Sequence, residues 1–293
     1  MNIKKKVEEA IIDASISQYD NNIDVFLDAL EEEKKYNNEN AVWALEMIIK
    51  NMKIAKDKKL PLCDDTGIPH VLIEIGNNRQ ITGEILSQIN EGIEEGLKLL
   101  PGRPMAVKGN DIQRLEQSEG LYESPSMLKP ANFIIDNGKI ESSYKREIDE
   151  DTLNIHLALL GGGPEIRAKT HRVFHKNDYN NVIDGTINWL KDSLKLLGCT
   201  PAISSIGIGR THIESSQLML KGLIYGNLKN QSEIETYITN ELNKTKIGPL
   251  GLGGCKTVLG TFVNIGPQRA SGVRIVSSRP ACFVEPRVAT IKI

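Results

Sequence analysis

Cysteine, aspartate and glycine carry whatever chemistry this chain can perform. Cys63 follows Pro61 and precedes two carboxylates, Asp64 and Asp65, and a Thr66-Gly67 turn. Cys199 stands between Gly198 and Thr200-Pro201, and Cys282 lies close to the last residues. The three are far apart in sequence, and that spacing by itself demands no metal. A lone cysteine is commonly a packed thiol. Cys63 and Cys199 nevertheless fall on turns beside apolar segments, where a polar ligand can be presented to a cleft. Four cysteines scattered through 293 residues are too few for a disulfide scaffold.

The glycine-rich stretches fail as nucleotide motifs. Gly207-Ile208-Gly209-Arg210-Thr211-His212 follows a predicted strand and precedes a predicted helix, but His212 occupies the place of the third glycine. Gly253-Gly254-Cys255-Lys256-Thr257 looks like the end of a phosphate-binding loop. A cysteine separates glycine from lysine there, and a strand-like run follows where a helix is needed. His171 and His175 lie four residues apart, as two metal ligands on one helix face would. No glutamate motif accompanies them, so solvated surface histidines are the simpler reading.

Several blocks together resemble a known family. Leu60-Pro61-Leu62-Cys63-Asp64-Asp65-Thr66-Gly67 is similar to the first-cysteine signature of iron–sulfur (class I) fumarases and L-tartrate dehydratases, in their alpha subunit or N-terminal half. Gly161-Gly162-Gly163-Pro164-Glu165 resembles that family's glycine-rich segment. Gly198-Cys199-Thr200-Pro201, running into Ile206-Gly207-Ile208-Gly209-Arg210-Thr211, resembles its second-cysteine region. Ile247 to Gly254 resembles the block before the last strands, and Cys282 with Arg287 to Ile293 the third-cysteine block. The matches occur in family order and cover nearly the whole chain.

The resemblance implies a chemistry. Removing water from a 2-hydroxy acid means losing hydroxide, a poor leaving group, and a weakly acidic C–H proton. A Lewis acid on the hydroxyl lowers the first barrier. A [4Fe–4S] cluster is ordinarily held by four thiolates, and three leave one iron open to substrate. The family assigns those three to Cys63, Cys199 and Cys282, with Cys255 as a packed thiol. Asp65 matches the family's acid or base; its local alternative is an Asx-type cap on Thr66-Gly67. Arg103 resembles an arginine that binds a substrate carboxylate through two parallel N–H donors, and is equally compatible with a solvated face. Gly161 to Gly163, including Gly162 as a substrate-binding residue, read either as a nest of backbone N–H groups or as a simple turn.

The resemblance further implies a small dicarboxylate substrate, a separate beta subunit that completes the site, and an alpha2beta2 hetero-oligomer. Three departures stand against it: Asp64 replaces a glutamine, Ile166 replaces an asparagine, and Gln268, Arg269 and Ala270 occupy a region where a histidine is expected. They keep a second reading open, a catalytically diverged binding or regulatory subunit. A thiol sensor using Cys63 and Cys199 is a third. Arg269, Arg274, Arg279 and Arg287 read either as an anion site or as a solvated face.

These residues need a scaffold. Apolar spacing predicts helix through the first 57 residues. A strand is expected at 70–75, a helix capped by Thr82, and a long loop over the site at 100–130. Strands are expected at 131–136, 139–145, 153–160 and 202–209, and helices near 180–197, 212–225 and 231–243. Strands near 256–265, 272–277 and 286–292 complete the reading. The pattern predicts a mixed α/β fold, a helical N-terminal block with helices packed around a mixed β-sheet, in one large domain over 1–293.

Composition bounds the function. Hydrophobic residues are 40% and charged residues 25%, which excludes a disordered chain. A net charge of -2 argues against nucleic-acid binding. No apolar run approaches the roughly 20 residues that span a bilayer, so no membrane is expected. Lys4 to Lys6 form no export leader, because Glu8, Glu9 and Asp13 interrupt the apolar core. The expected location is cytoplasmic, where thiols stay reduced.

Overall fold

The computed structural model describes residues 2–293. Helices α1 (Ile3–Tyr36) and α2 (Glu39–Lys58) form the N-terminal block. The expected continuous helix breaks at Asn37, which adopts a left-handed conformation, and Asn38 then caps α2 by accepting from the Ala41 amide. Asparagine tolerates the left-handed region and caps well, so the pair ends one helix and starts the next.

Strand β1 (Ile68–Ile75) leads to α3 (Gly83–Leu99), whose start is capped by Thr82 as expected. The 100–130 region holds a short helix, α4 (Asp111–Glu116), and a 3₁₀ turn at Pro125–Leu128. Then come β2 (Asn132–Asp136), β3 (Leu153–Leu160), the short helix α5 (Gly162–Glu165), β4 (Lys169–Phe174) and α6 (Tyr179–Lys195). The chain continues through β5 (Ala202–Gly209), α7 (His212–Tyr225), α8 (Glu233–Asn243), β6 (Val258–Ile265), β7 (Val273–Ala281) and β8 (Arg287–Lys292).

The mixed α/β class holds, but the strands divide between two four-stranded sheets where one was expected. One sheet has the order β2-β1-β3-β8, the other β4-β7-β5-β6, and each combines one parallel with two antiparallel pairings. The strand expected at 139–145 is absent. Ser143 and Tyr144 instead donate backbone N–H groups to Ile265 O at 3.1 Å and Asn264 Oδ1 at 3.2 Å. Conversely, β4 arises where histidine spacing had raised a helix, because pairing with β7 overrides local pattern.

Three apolar clusters hold these layers. The first half of α1 packs with α3 against Val71, Ile73, Ile155 and Leu157 of one sheet. Its second half packs with α2, Ile203 and Phe262. Helices α6 and α8 cover the outer face of the second sheet. Among the described residues, no helix is long and apolar enough to cross a membrane.

Candidate active site

Strand register brings the site together. Ile68 pairs with Leu160, Leu159 with Arg287, and Ile203 with Ala281. The loop before β1, the loop after β3, the approach to β5 and the turn between β7 and β8 therefore share one end of the two sheets. Those segments carry Cys63, Gly161 and Gly162, Cys199, and Cys282.

Backbone bonds tie the segments. Phe283 N–H donates to Cys199 O at 3.3 Å, setting the third cysteine beside the second. Asn51 Nδ2 donates to Leu62 O at 3.1 Å, anchoring the first-cysteine loop to α2. Thr200 Oγ1 donates to Gly248 O at 2.6 Å, and Leu250 N–H donates to Thr200 O at 3.0 Å. The glycine-rich block near 250 thus braces the residue after Cys199.

The Cys199 thiol lies in the field of Cys63, and Cys282 in that of Cys199. Burial pushes the Cys199 thiol up, and Cys63 and Asp65 add to the effect. Burial also raises Cys282, with Glu285 next. Burial raises Cys63, which lies 3.5 Å from Asp64 Oδ1, while Arg287 pulls the other way. Cys255 stands elsewhere. Burial and the Glu33 carboxylate raise it to about 11, and its charged neighbours are Glu33, Lys256 and Glu32.

All four cysteines are free thiols. Among the described residues, no three His, Cys, Asp or Glu side chains converge on a single ion. A four-iron cluster is larger, and its thiolates hold different irons. Three separate thiols at one strand end fit that group. So does the buried Arg287, whose charge acts on Cys63 and Cys282 and whose Nε has no partner.

Asp65 is held at both oxygens. Gly67 N–H donates to Oδ1 at 3.0 Å, the Asx-type bond, and Gly162 N–H donates to Oδ2 at 3.0 Å. Arg287 Nη1 donates to Asp65 O at 2.6 Å. The Asx-type turn reading of Asp65 is thus met, and the two amides fix the direction of a carboxylate whose charge acts on the Cys199 thiol.

Gly161 and Gly162 spend their N–H groups on the protein's own carboxylates, Glu285 and Asp65. Arg103 is exposed, and its Nη1 lies 3.9 Å from Asp64 Oδ2. Its backbone is fixed, N–H to Asp64 O at 2.9 Å and O accepting from Thr66 Oγ1 at 2.6 Å.

The four arginines separate. Arg279 and Arg287 are buried, whereas Arg269 is exposed and donates to Arg210 O at 3.3 Å. Arg274 donates to the carbonyls of Ser271 and Val273. Gln268 binds Ile208 O at 3.2 Å, at the opposite end of β5 from Cys199. The departure at 268–270 therefore lies a strand length from the thiols. Glu285 was missed in the sequence because a glutamate two residues before an arginine carries no signal until the chain turns back on Gly161.

The family model described as Fumarate hydratase (Fumerase) matches residues 4–292. A protein of Methanocaldococcus jannaschii, named provisionally as an L(+)-tartrate dehydratase subunit alpha, is 31% identical over 81% of this chain and 80% of its own. The L(+)-tartrate dehydratase subunit alpha of Escherichia coli is 22% identical over 81% of this chain and 74% of its own. The chain belongs to the fumarate hydratase family, whose members are hydro-lyases.

Proposed function

We propose that the chain, as a single domain over 1–293, is the cluster-binding alpha subunit of an iron–sulfur hydro-lyase. It hydrates or dehydrates a small hydroxy-dicarboxylic acid of the fumarate/malate or tartrate type. A separate beta subunit completes the site in a cytoplasmic alpha2beta2 assembly. The observation that carries this reading is that the turns bearing Cys63, Asp65, Cys199 and Cys282 share one end of both sheets.

Cys63, Cys199 and Cys282 would hold a [4Fe–4S] cluster. When bound, the cluster supplies a Lewis acid for the substrate hydroxyl. Asp65 moves a proton at a carboxylate whose direction is set by the Gly67 and Gly162 amides. Arg103 takes a substrate carboxylate from the solvent side, on a backbone pinned to Asp64 and Thr66. Gly162 acts through Asp65, because its amide is already donated there.

Anaerobic reconstitution with iron and sulfide tests the reading, followed by assay of fumarate and L-tartrate with the co-expressed second subunit. Thiol-dependent cluster uptake with turnover is expected. A chain that takes up no cluster, with Cys63→Ser behaving like the parent, overturns it. The Asp64–Arg103 pair favours a second reading, because Asp64 competes with a substrate anion for Arg103. Uptake of cluster without turnover of any hydroxy acid selects that diverged binding subunit.

A further inference from the structure

Arg279 heads the largest fully buried side chains among the described residues. A buried guanidinium must have its donors satisfied. Nη1 and Nη2 both reach Glu285, which is equally buried. Nε donates to Glu165 Oε2 at 3.2 Å, and Nη2 also donates to Gly161 O at 3.1 Å.

Glu285 closes the grip. Its Oε1 accepts the Gly161 N–H, so one ion pair holds Gly161 by its own amide and its own carbonyl. A Cβ at Gly161 would lie 2.7 Å from Glu285 Oε1 and 3.3 Å from Asp65 Oδ2, so glycine is what permits the contact. The next amide, Gly162, directs Asp65 Oδ2. Glu285 N–H also donates to Cys282 O at 3.0 Å, closing the third-cysteine turn. Gln18 of α1 fastens that turn through Phe283 O at 3.0 Å and through Glu285 O.

We propose that Arg279 and Glu285 are positioning residues that hold Asp65 and the Cys282 turn in one frame. The roles of Asp65 and Cys282 rest on the function proposed above; the grip on Gly161 does not. A buried ion pair is a weak source of stability, since an apolar pair of similar volume commonly replaces it without loss. What an apolar pair cannot supply is a donor for the Gly161 carbonyl and an acceptor for its N–H. The pair therefore acts through geometry.

The test is the double variant Arg279→Met with Glu285→Met, which leaves no unpaired buried charge. It is made in the full chain, reconstituted with iron and sulfide and co-expressed with the second subunit. Hydrogen exchange of the 161–166 amides is expected to quicken by about tenfold or more. Turnover of fumarate or L-tartrate is expected to fall about 10²-fold, the cost of a small misplacement, with KM nearly unchanged. Arg279→Lys keeps the charge and loses the fork; if the double variant does not fold, the same two readouts on Arg279→Lys decide, with about tenfold less turnover expected. Parent-like exchange overturns the proposal, and so does quickened exchange with parent-like kcat. If even the parent takes up no cluster, the functional reading fails, while the exchange rates still uphold or overturn the grip.

Discussion

Phe283 N–H donates to the carbonyl of Cys199 at 3.3 Å, joining two cysteine-bearing turns that enter from different strands. Cys199 precedes β5 and Cys282 follows β7, and the antiparallel pairing of those strands puts both turns at one end. Each thiol is thus placed by main-chain bonding, and substitution of the sulfur alone leaves its position intact.

Cysteine-to-serine substitutions are therefore expected to divide three against one. Cys63→Ser, Cys199→Ser and Cys282→Ser each lose most of the iron and sulfide taken up on reconstitution, because a thiolate ligand is gone. Cys255→Ser keeps the parent's content, since its thiol lies beside Glu33. Iron and sulfide analysis checks all four.

Asp65→Asn should leave the cluster in place and lower turnover by about 10²–10⁴-fold, the usual contribution of a positioned acid or base. Only one of the Gly67 and Gly162 amides keeps an acceptor, because the two bond different oxygens and the carboxamide replaces one of these with an NH2. Steady-state kinetics beside metal analysis separates loss of proton transfer from loss of cluster.

Gly207 explains the glycine motif that failed as a nucleotide fingerprint. A Cβ there would lie 2.0 Å from Ser215 O and 2.4 Å from Met219 N, so α7 crosses β5 in backbone contact. Gly207→Ala is expected to destabilise the fold by about 2–4 kcal/mol, as overpacking with backbone shifts does. Gly272→Ala, which meets open space, should lie within about 0.5 kcal/mol of the parent. Urea denaturation of the two variants gives the comparison.

A buried polar cluster at the far end of the first sheet predicts acid sensitivity. Glu74 is 2% exposed; Asn154 Nδ2 and Tyr225 OH each donate to it at 2.8 Å, and His156 Nε2 lies at 3.1 Å. Burial opposes its charge, but bonds from His156, Asn154 and Tyr225 prevail and hold it at about 2. The folded value lies below the unfolded one, so the stabilisation is complete above about pH 4.5 and is lost as pH falls towards 2. The loss amounts to about 3 kcal/mol. Unfolding midpoints measured across that window should show the slope in the parent and a smaller one in Glu74→Gln.

Much of this protein was legible in order and kind. The helix cap at Thr82, the β5 run from Ala202, and the glycine-rich turns are local features, and local chemistry writes them into the sequence. The cysteine turns could be picked out for the same reason. Long-range pairing was not legible. Nothing in Lys169–Phe174 announces a strand until β7 lies beside it, and nothing divides the strands into two sheets until both cores exist.

The sequence by itself determined the candidate residue types and the turns that carry them. Tertiary structure decided which of them meet. It separated Cys255 from the other thiols, spent the Gly161 and Gly162 amides on Glu285 and Asp65, and buried Arg279 and Arg287 while leaving Arg269 exposed. The physical reason is register: a strand's pairing partners are chosen by burial across the whole fold, and only that choice sets which loop ends share a site.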